Sequence, residues 1–556
     1  MYEQLETDVL VVGGGAAGLR AAIQAAERGR RVVLLAKGPI SRSGITPLAS
    51  TGVTASLHPD DSPENHFLDT LRGGRGLADA PLVRALSSDA AEQVRWLAGA
   101  GQRFSTNPDG SLALTIRPGQ SHPRNCYAVG GGWSMSRTLL MKTADFPCLA
   151  VIQDGYVVRL LADGGEVVGA VYLDLRSGNL KVIQAGATVL ATGGYEQLWA
   201  VSDCPPDSTG DGAVLALEAG ATLIDLEMVQ FYPAVGVYPP GVRGLIAVPY
   251  EFGINPDLLG GRLLNGSGEE FVQGFPMRDE LARAIFREIE EGRASPHGGV
   301  YLDLTHSRYE NEELARRIKR YIPAQNAQMM RLGIDIMQQM IEVAPAPHFC
   351  CGGIRIDEHG ATDVPGLFAA GECEGNVQGA NRISGNALAE TLVFGARAGN
   401  AAAEFSESRT RSGIDASAIV RREEGLIESI RACREGCMRP GELKGEIQRV
   451  IWQACSPKRN AALLKAGLEA IAGMVDCVGN LAVHDVRRGC YELQQAYEVR
   501  LMALLSECLL RSALYREESR GAHFREDFPE TRDEAVHTAV TWKAGEVVVS
   551  TLPVLS

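Results

Sequence analysis

A chain of 556 residues exceeds one core and predicts about three structural units, at roughly 100–200 residues each. Its 54 basic and 68 acidic side chains leave a formal net charge of −14, which excludes a bulk basic footprint for nucleic acid. Hydrophobic residues at 45% and charged residues at 22% suit a soluble globular protein, and no run of about 18 apolar residues exists to cross a bilayer.

Met1 to Asp8 lacks the basic start and apolar stretch of a signal peptide. That predicts a cytoplasmic protein, with docking to the membrane through a partner left open. Asp8 to Val12 is a short apolar run, as in a strand buried on both faces. Glycines 13, 14, 15 and 18 follow, then an alanine-rich helix over Ala16–Arg28 and a strand over Arg31–Leu35, which makes a βαβ unit. Apolar positions recur at helical spacing from 82 to 101. From 150 to 190 short strands alternate with turns at Asp163-Gly164-Gly165 and Ser177-Gly178-Asn179. Ala187–Thr192 reads as a second buried strand ending in Gly193-Gly194. Pro, Gly and Asn then cluster at 253–268, before helical pattern over 279–293 and 309–341, which predicts a separate cap. Strand and turn signals return at 353–375, and Asn386–Glu404 reads as a helix. Residues 415–515 are nearly all helical, and the tail carries a strand at Val547–Val549.

Twelve cysteines are scattered along the chain, with Cys350 and Cys351 adjacent and Cys433 and Cys437 four apart. None forms a ferredoxin-like CxxCxxC site or a paired CxxC zinc site, so no metal is expected and buried, reduced thiols are. Electrons that pass through iron–sulfur clusters would need another chain to hold them.

Gly13-x-Gly15-x-x-Gly18 follows a strand and opens a helix. Such glycines allow a tight turn, close approach of backbone to pyrophosphate, and close helix–strand packing, while the helix N-terminus supplies amide donors. Alone the pattern is weak and fits a plain glycine turn; the strand–helix context favours nucleotide binding. The acid that normally ends the next strand is missing, since Ala36-Lys37 stands there. Two further features decide for FAD. Thr192-Gly193-Gly194 closes a late strand, and Gly366-Leu367-Phe368-Ala369-Ala370-Gly371-Glu372 is a strand ending in an acid suited to a ribityl hydroxyl. The second string resembles an FAD motif of two-dinucleotide-fold flavoproteins; otherwise Glu372 is a solvated acid at a strand end.

The strings that follow resemble one flavoprotein superfamily, the fumarate reductase/succinate dehydrogenase/L-aspartate oxidase group. Gly13 to Gly18 with Lys37 matches its start, and Asp69 to Leu77 its DTxxGGxGL. Thr209-Gly210-Asp211-Gly212 matches TGDG, with Glu227-x-x-Gln230-Phe231-x-Pro233 after it. Arg278-Asp279-x-x-Ala282-Arg283-Ala284-Ile285 matches RDxxARAI, and Pro347-His348-Phe349-x-Cys351-Gly352-Gly353 matches HYxxGG. Gly379-Ala380-Asn381-Arg382-Ile383-x-x-Asn386-x-Leu388 matches GANRLxxNSL, and Glu518 to His523 matches ESRGAH. The match runs in order from about residue 5 to 530.

This resemblance implies an α/β fold: a Rossmann-like FAD-binding domain (1–240 and 346–410), an inserted α+β capping domain (241–345), a helical C-terminal domain (411–515) and a tail (516–556). It implies an FAD site at Gly13, Gly15, Ala16, Ala17, Gly18, Lys37, Gly44, Gly52, Thr192, Gly193, Asp211, Glu372, Asn386 and Leu388. The covalent FAD histidine of membrane-complex members falls near Gly44, which has no nucleophile, so non-covalent FAD is expected. The resemblance also implies an iron–sulfur electron-transfer partner, docking near 415–515.

The implied chemistry moves a hydride between flavin N5 and a carbon next to a carboxylate, with a proton moved at the neighbouring carbon. Arg278 sits at the family's catalytic arginine; as a bland alternative it pairs with Asp279 at a helix start. An arginine has a pKa above about 12, so it serves only with a relay. His348 and Arg382 match the carboxylate-binding pair, since a guanidinium grips a carboxylate bidentately. Four departures fall on the substrate side, one of them at DxTG, which reads Val129-Gly130-Gly131-Gly132. QFHPT reads Gln230-Phe231-Tyr232-Pro233-Ala234, and Tyr232 donates one hydrogen bond but carries no charge. HGANR reads Gln378-Gly379-Ala380-Asn381-Arg382. TExxRGEG aligns loosely with Tyr250 to Pro256, keeping Glu251 and losing the relay arginine. The expected substrate is a small carboxylic acid of the fumarate/succinate type. The alternatives are a related enzyme for a different acid, an L-aspartate oxidase, and a non-enzymatic electron-transfer subunit.

Overall fold

The computed structural model describes residues 2–50, 52–409, 414–432, 437–477, 481–483 and 489–556. The apolar start forms the strand Glu3–Val12, paired in parallel with Val32–Ala36 on one side and Asn179–Leu190 on the other. Leu149–Gln153 extends the sheet beyond Val32–Ala36, and Leu367–Ala369 adds a further parallel strand beside Asn179–Leu190. Strands covered on both faces carry unbroken apolar runs, and the fully buried Val-Val-Leu-Leu-Ala of Val32–Ala36 is one. The helix Ala16–Glu27 crosses over between the first two strands and packs against the long helix Asn386–Glu407. In an open parallel sheet the ligand crevice lies beyond the carboxyl ends of the strands, where the strand order reverses. Gly13, Lys37, Thr192 and Ala370 fall at those ends.

The strand expected over Ala187–Thr192 is Asn179–Leu190. Its first half pairs antiparallel with Glu166–Asp174, which forms a hairpin with Gly155–Asp163. The two expected turns join these three strands.

A second core surrounds an antiparallel sheet in the order Val229–Tyr238, Ile341–Cys350, Val300–Asp303, Arg262–Leu264. Leu281 and Ile285 from the helix Arg278–Glu290 and Ile318 from Asn311–Tyr321 pack beneath it. The helical stretch expected over 309–341 is broken. One helix ends at Tyr321, a second runs Pro323–Arg331, and a strand begins at Ile341. Pro323 lacks an N–H and fits a first helical turn but not an interior, so it restarts the helix.

The C-terminal region holds the helices Ser417–Ala432, Pro440–Ala454, Ala461–Cys477 and Tyr491–Tyr515, then the hairpin Val536–Lys543 with Glu546–Pro553. Buried Arg516 ties it to the rest through Asp225 (2.9 Å), Glu227 (2.6 Å) and Glu518 (2.9 Å). Cys126, Cys204, Cys350, Cys351, Cys373, Cys455, Cys490 and Cys508 are buried and free, as expected. Cys437 departs from that expectation and is disulfide-bonded. Cys433 lies outside the described residues. Among the described residues no helix is long and apolar enough to cross a membrane.

Candidate active site

The crevice at the strand ends is lined by Gly13, Gly15, Ala16 and Ala17 from the glycine turn. Gly13 has φ +118°, and a Cβ there would lie 2.1 Å from the Ala191 carbonyl oxygen. A Cβ on Gly18 would lie 1.9 Å from the Gly13 carbonyl oxygen. Both glycines are therefore demanded by the turn, although Gly18 itself packs behind the crevice. The helix starting at Ala16 has no side-chain cap at Gly15. Ala16 N donates to Thr46 Oγ1 at 3.0 Å, and the rest of the first turn keeps the donor character and positive dipole end that suit a pyrophosphate.

Lys37 lines the same crevice, but its ammonium is engaged. Nζ donates to Asp211 Oδ2 at 2.6 Å, Thr209 Oγ1 at 2.9 Å and Glu498 Oε1 at 3.0 Å. Burial would lower the Lys37 pKa, but these two carboxylates raise it, so the group stays charged. Asp211 thus lines the crevice beside the strand end where the acid is missing, paired with Lys37. Gly193 and Thr192 close the floor, and Thr192 Oγ1 is buried without a hydrogen-bond partner. Gly44 also lines the crevice, with its N donating to Asp207 Oδ2 at 2.8 Å and open space where a side chain would be. A glycine cradle, the positive end of a helix and an orphaned hydroxyl are what a flavin dinucleotide requires.

A cavity of about 510 Å³ opens from this crevice, and Ile45, Thr46, Glu372 and Thr391 line both. Cys350 N donates to Glu372 Oε1 at 3.1 Å. Burial, and next the buried Glu196 beside it, push the Glu372 carboxyl well above the usual range.

All five sequence-predicted catalytic residues line the cavity: Arg278, His348, Arg382, Glu251 and Tyr232. Arg278 is the first residue of its helix, where a cation opposes the dipole. Its partners outweigh that. Nη2 donates to Glu251 Oε1 at 2.7 Å and Nη1 to Gln230 Oε1 at 2.9 Å. Burial would lower the Arg278 pKa, yet Glu251 raises it overall. Burial would raise Glu251, yet Arg278 and the Tyr232 hydroxyl hold it below the usual carboxylate range.

Gln230 and Tyr232 lie two apart on the strand Val229–Tyr238 and so share a face; Phe231, between them, packs edge-on to Trp199 at 6.0 Å. Tyr232 Oη donates to Glu251 Oε2 at 2.5 Å and accepts from Tyr250 N at 3.1 Å. Its hydroxyl is committed to Glu251, where the sequence suggests a donor for substrate. Gln230 Nε2 continues the chain to Asn381 Oδ1 at 2.6 Å and the Arg382 carbonyl at 3.0 Å, which fixes Arg382 relative to Arg278.

Arg382 is buried, its Nε has no partner, and its guanidinium carbon lies 4.5 Å from the Phe349 ring centre. Burial, and then its neighbour Arg278, push its pKa down to about 10. His348 Nδ1 lies 2.7 Å from Asp203 Oδ2, which leaves Nε2 for a ligand, and its ring centre is 5.1 Å from that of Tyr232.

Leu388 lines the cavity, but Gly52 and Asn386 line neither space. A Cβ on Gly52 would lie 2.2 Å from the Cys126 carbonyl oxygen, so close packing requires this glycine. Asn386 binds His66 Nε2 (3.0 Å) and Thr70 Oγ1 (3.0 Å) at a helix start. Sequence reasoning missed Arg117, Asp203 and Gln230 as cavity or network residues. Gln230 stood inside a matched string; Arg117 and Asp203 come from loops with no pattern to mark them.

A family model described as FAD binding domain matches residues 8–388, and one described as Fumarate reductase flavoprotein C-term matches residues 444–555. The chain is 37% identical to a fumarate reductase (CoM/CoB) subunit of Methanothermobacter marburgensis over 541 residues, covering 96% of each chain. It is 34% identical to L-aspartate oxidase of Streptomyces coelicolor over 566 residues, 98% of this chain and 91% of that one. The solved structure of Mycobacterium smegmatis Sdh1 in complex with UQ1 superimposes with a TM-score of 0.90 at 33% identity, covering 100% of this chain and 95% of that chain. With a flavin cradle opening onto an arginine-lined cavity, and with relatives along its whole length, this chain belongs to the FAD-dependent oxidoreductase family of fumarate reductase and succinate dehydrogenase flavoproteins and L-aspartate oxidases.

Proposed function

We propose that this flavoprotein interconverts a small unsaturated dicarboxylate and its saturated counterpart, of the fumarate/succinate type. The observation that carries the reading is Arg278, held by Glu251 and Gln230 in one cavity with Arg382, whose Nε has no partner. When bound, FAD supplies the hydride acceptor or donor. Gly13 to Ala17 would hold its pyrophosphate, and Thr192, Gly193 and Glu372 would meet the ribityl and flavin side.

Arg382 and His348 orient one substrate carboxylate and fix the reacting carbons. Arg278 moves the proton at the carbon next to the one that exchanges hydride. A guanidinium is a poor acid, so its proton must be replaced as it leaves. Glu251 Oε1 faces Arg278 Nη2, and Glu251 Oε2 receives the Tyr232 hydroxyl. A proton taken up at Glu251 and passed to Arg278 replaces the one given to substrate, while Tyr232 keeps its own proton, because burial and then Glu251 hold its hydroxyl well above the usual phenol range. Tyr232 thus positions Glu251, and Ile254 stands where the resemblance implies an arginine. With fumarate and a reduced one-electron dye, steady dye oxidation is the expected result; activity with other acids and none with fumarate would overturn the assignment.

FAD is held without a covalent bond, because Gly44 offers no nucleophile. Acid precipitation is expected to leave the yellow colour in the supernatant; colour retained in the pellet would contradict this. Gly18→Ala is expected to yield colourless protein, since the added Cβ meets a backbone oxygen at 1.9 Å. The absorbance near 450 nm relative to 280 nm checks this (the wavelength of about 450 nm is that of oxidised flavin). An iron–sulfur protein is proposed as the electron partner, because the chain carries no CxxCxxC pattern of its own and the Methanothermobacter relative is itself named as one subunit of an enzyme.

A further inference from the structure

We propose that Arg117 receives the second carboxylate of the substrate, so that the cavity selects dianions; this rests on Arg382 receiving the first. The charged side chains that line the cavity can be taken partner by partner. Arg278 is compensated by Glu251 at 2.7 Å, and Asp203 is paired with His348 at 2.7 Å. Glu372 lies where the cavity meets the flavin crevice, accepts from Cys350 N at 3.1 Å and forms no ion pair with Arg382 or Arg117. Arg320 is exposed to solvent. Two arginines remain without a carboxylate partner among the described residues, Arg382 and Arg117.

Arg117 makes no ion pair among the described residues, and its Nε is buried without a hydrogen-bond partner. Its guanidinium carbon lies 4.7 Å from the centre of the Phe252 ring. A ring face orients a cation without neutralising it. The backbone around Arg117 is fixed on both sides. Arg117 N donates to Gln120 Oε1 at 3.0 Å, and Gln120 N donates to the Arg117 carbonyl at 3.0 Å. Gln120 Nε2 then donates to the Ser384 carbonyl at 3.2 Å, two residues from Arg382. The two guanidiniums that form no ion pair among the described residues are therefore held on connected backbone around one space. A monocarboxylate would compensate one of them and leave the other desolvated, whereas a dicarboxylate compensates both.

The test uses oxidised holoenzyme without reductant, so that neither ligand reacts. Dissociation constants are read from the change in flavin absorbance for fumarate and for crotonate, which carries a methyl group in place of one carboxylate. Arg117→Gln is expected to weaken fumarate about 10- to 100-fold and to leave crotonate within about twofold. Arg117→Lys, which restores a point charge, is expected to recover most of the loss. Equal weakening of both acids, or no change in either, would overturn the role of Arg117 and leave that of Arg382 intact. Wild-type holoenzyme that binds crotonate as tightly as fumarate would overturn the dicarboxylate reading itself, and this inference with it.

Discussion

Arg278→Lys is expected to lower kcat with fumarate by about a thousandfold and to leave fumarate binding within about threefold of wild type. The guanidinium does two things that an ammonium cannot do together. Its fork spans Gln230 Oε1 and Glu251 Oε1, at 2.9 and 2.7 Å, while presenting a further N–H to the cavity. Lysine keeps the positive charge, so Glu251 stays compensated and the fold is retained. Arg278→Gln would instead leave Glu251 buried without a cation, a change that costs about 3–5 kcal/mol in comparable sites. The lysine variant is therefore the informative one, with single-turnover kinetics on one side and flavin absorbance titration on the other. Full activity would remove Arg278 from the proton path. Loss of binding together with activity would make it a carboxylate anchor.

Arg382→Met carries the second large effect, with opposite signs expected for binding and stability. In the ligand-free protein Arg382 is buried, with Nε unpartnered and a single 3.3 Å bond from Nη1 to the Ile383 carbonyl. Burial and the neighbouring Arg278 push its pKa down to about 10, so the charge is destabilising until an anion arrives. Methionine fills similar space against Phe349 without a charge. Removing a poorly compensated buried cation is expected to stabilise the free protein by about 1–3 kcal/mol. The same change removes a bidentate charge-assisted contact, at about 1.5–3 kcal/mol per bond, and should weaken fumarate and crotonate alike by about 100-fold or more. Thermal melts and flavin titrations check the two halves. A destabilised variant with unchanged affinity would make Arg382 a structural residue.

The glycine turn was legible because the chemistry needs backbone geometry, which glycine alone supplies at Gly13 and Gly18. Arg278, His348 and Arg382 were legible because matched strings carried them to one cavity. Their partners were harder. Tyr232 read as a weakened substrate donor, yet its hydroxyl belongs to Glu251, nineteen positions away on a short helix. No spacing rule connects a strand residue to a helix that follows a loop. Arg117 escaped for a similar reason, since only the folded loop brings it over Phe252. Glu372 was found by its strand, but the rise in its pKa comes first from burial and then from Glu196, which no motif marks. The helix expected over 309–341 failed at Pro323, where the apolar period continues but the backbone cannot.

The most direct measurement is anaerobic. The purified chain is reduced with dithionite, and its visible absorbance is followed as fumarate is added. Rapid return of the oxidised flavin spectrum is expected, and a return about a thousandfold slower with Arg278→Lys. A wild-type flavin that stays bound and reduced in excess fumarate would contradict the proposed chemistry, and would show that the changes around Tyr232 have moved the substrate to another acid.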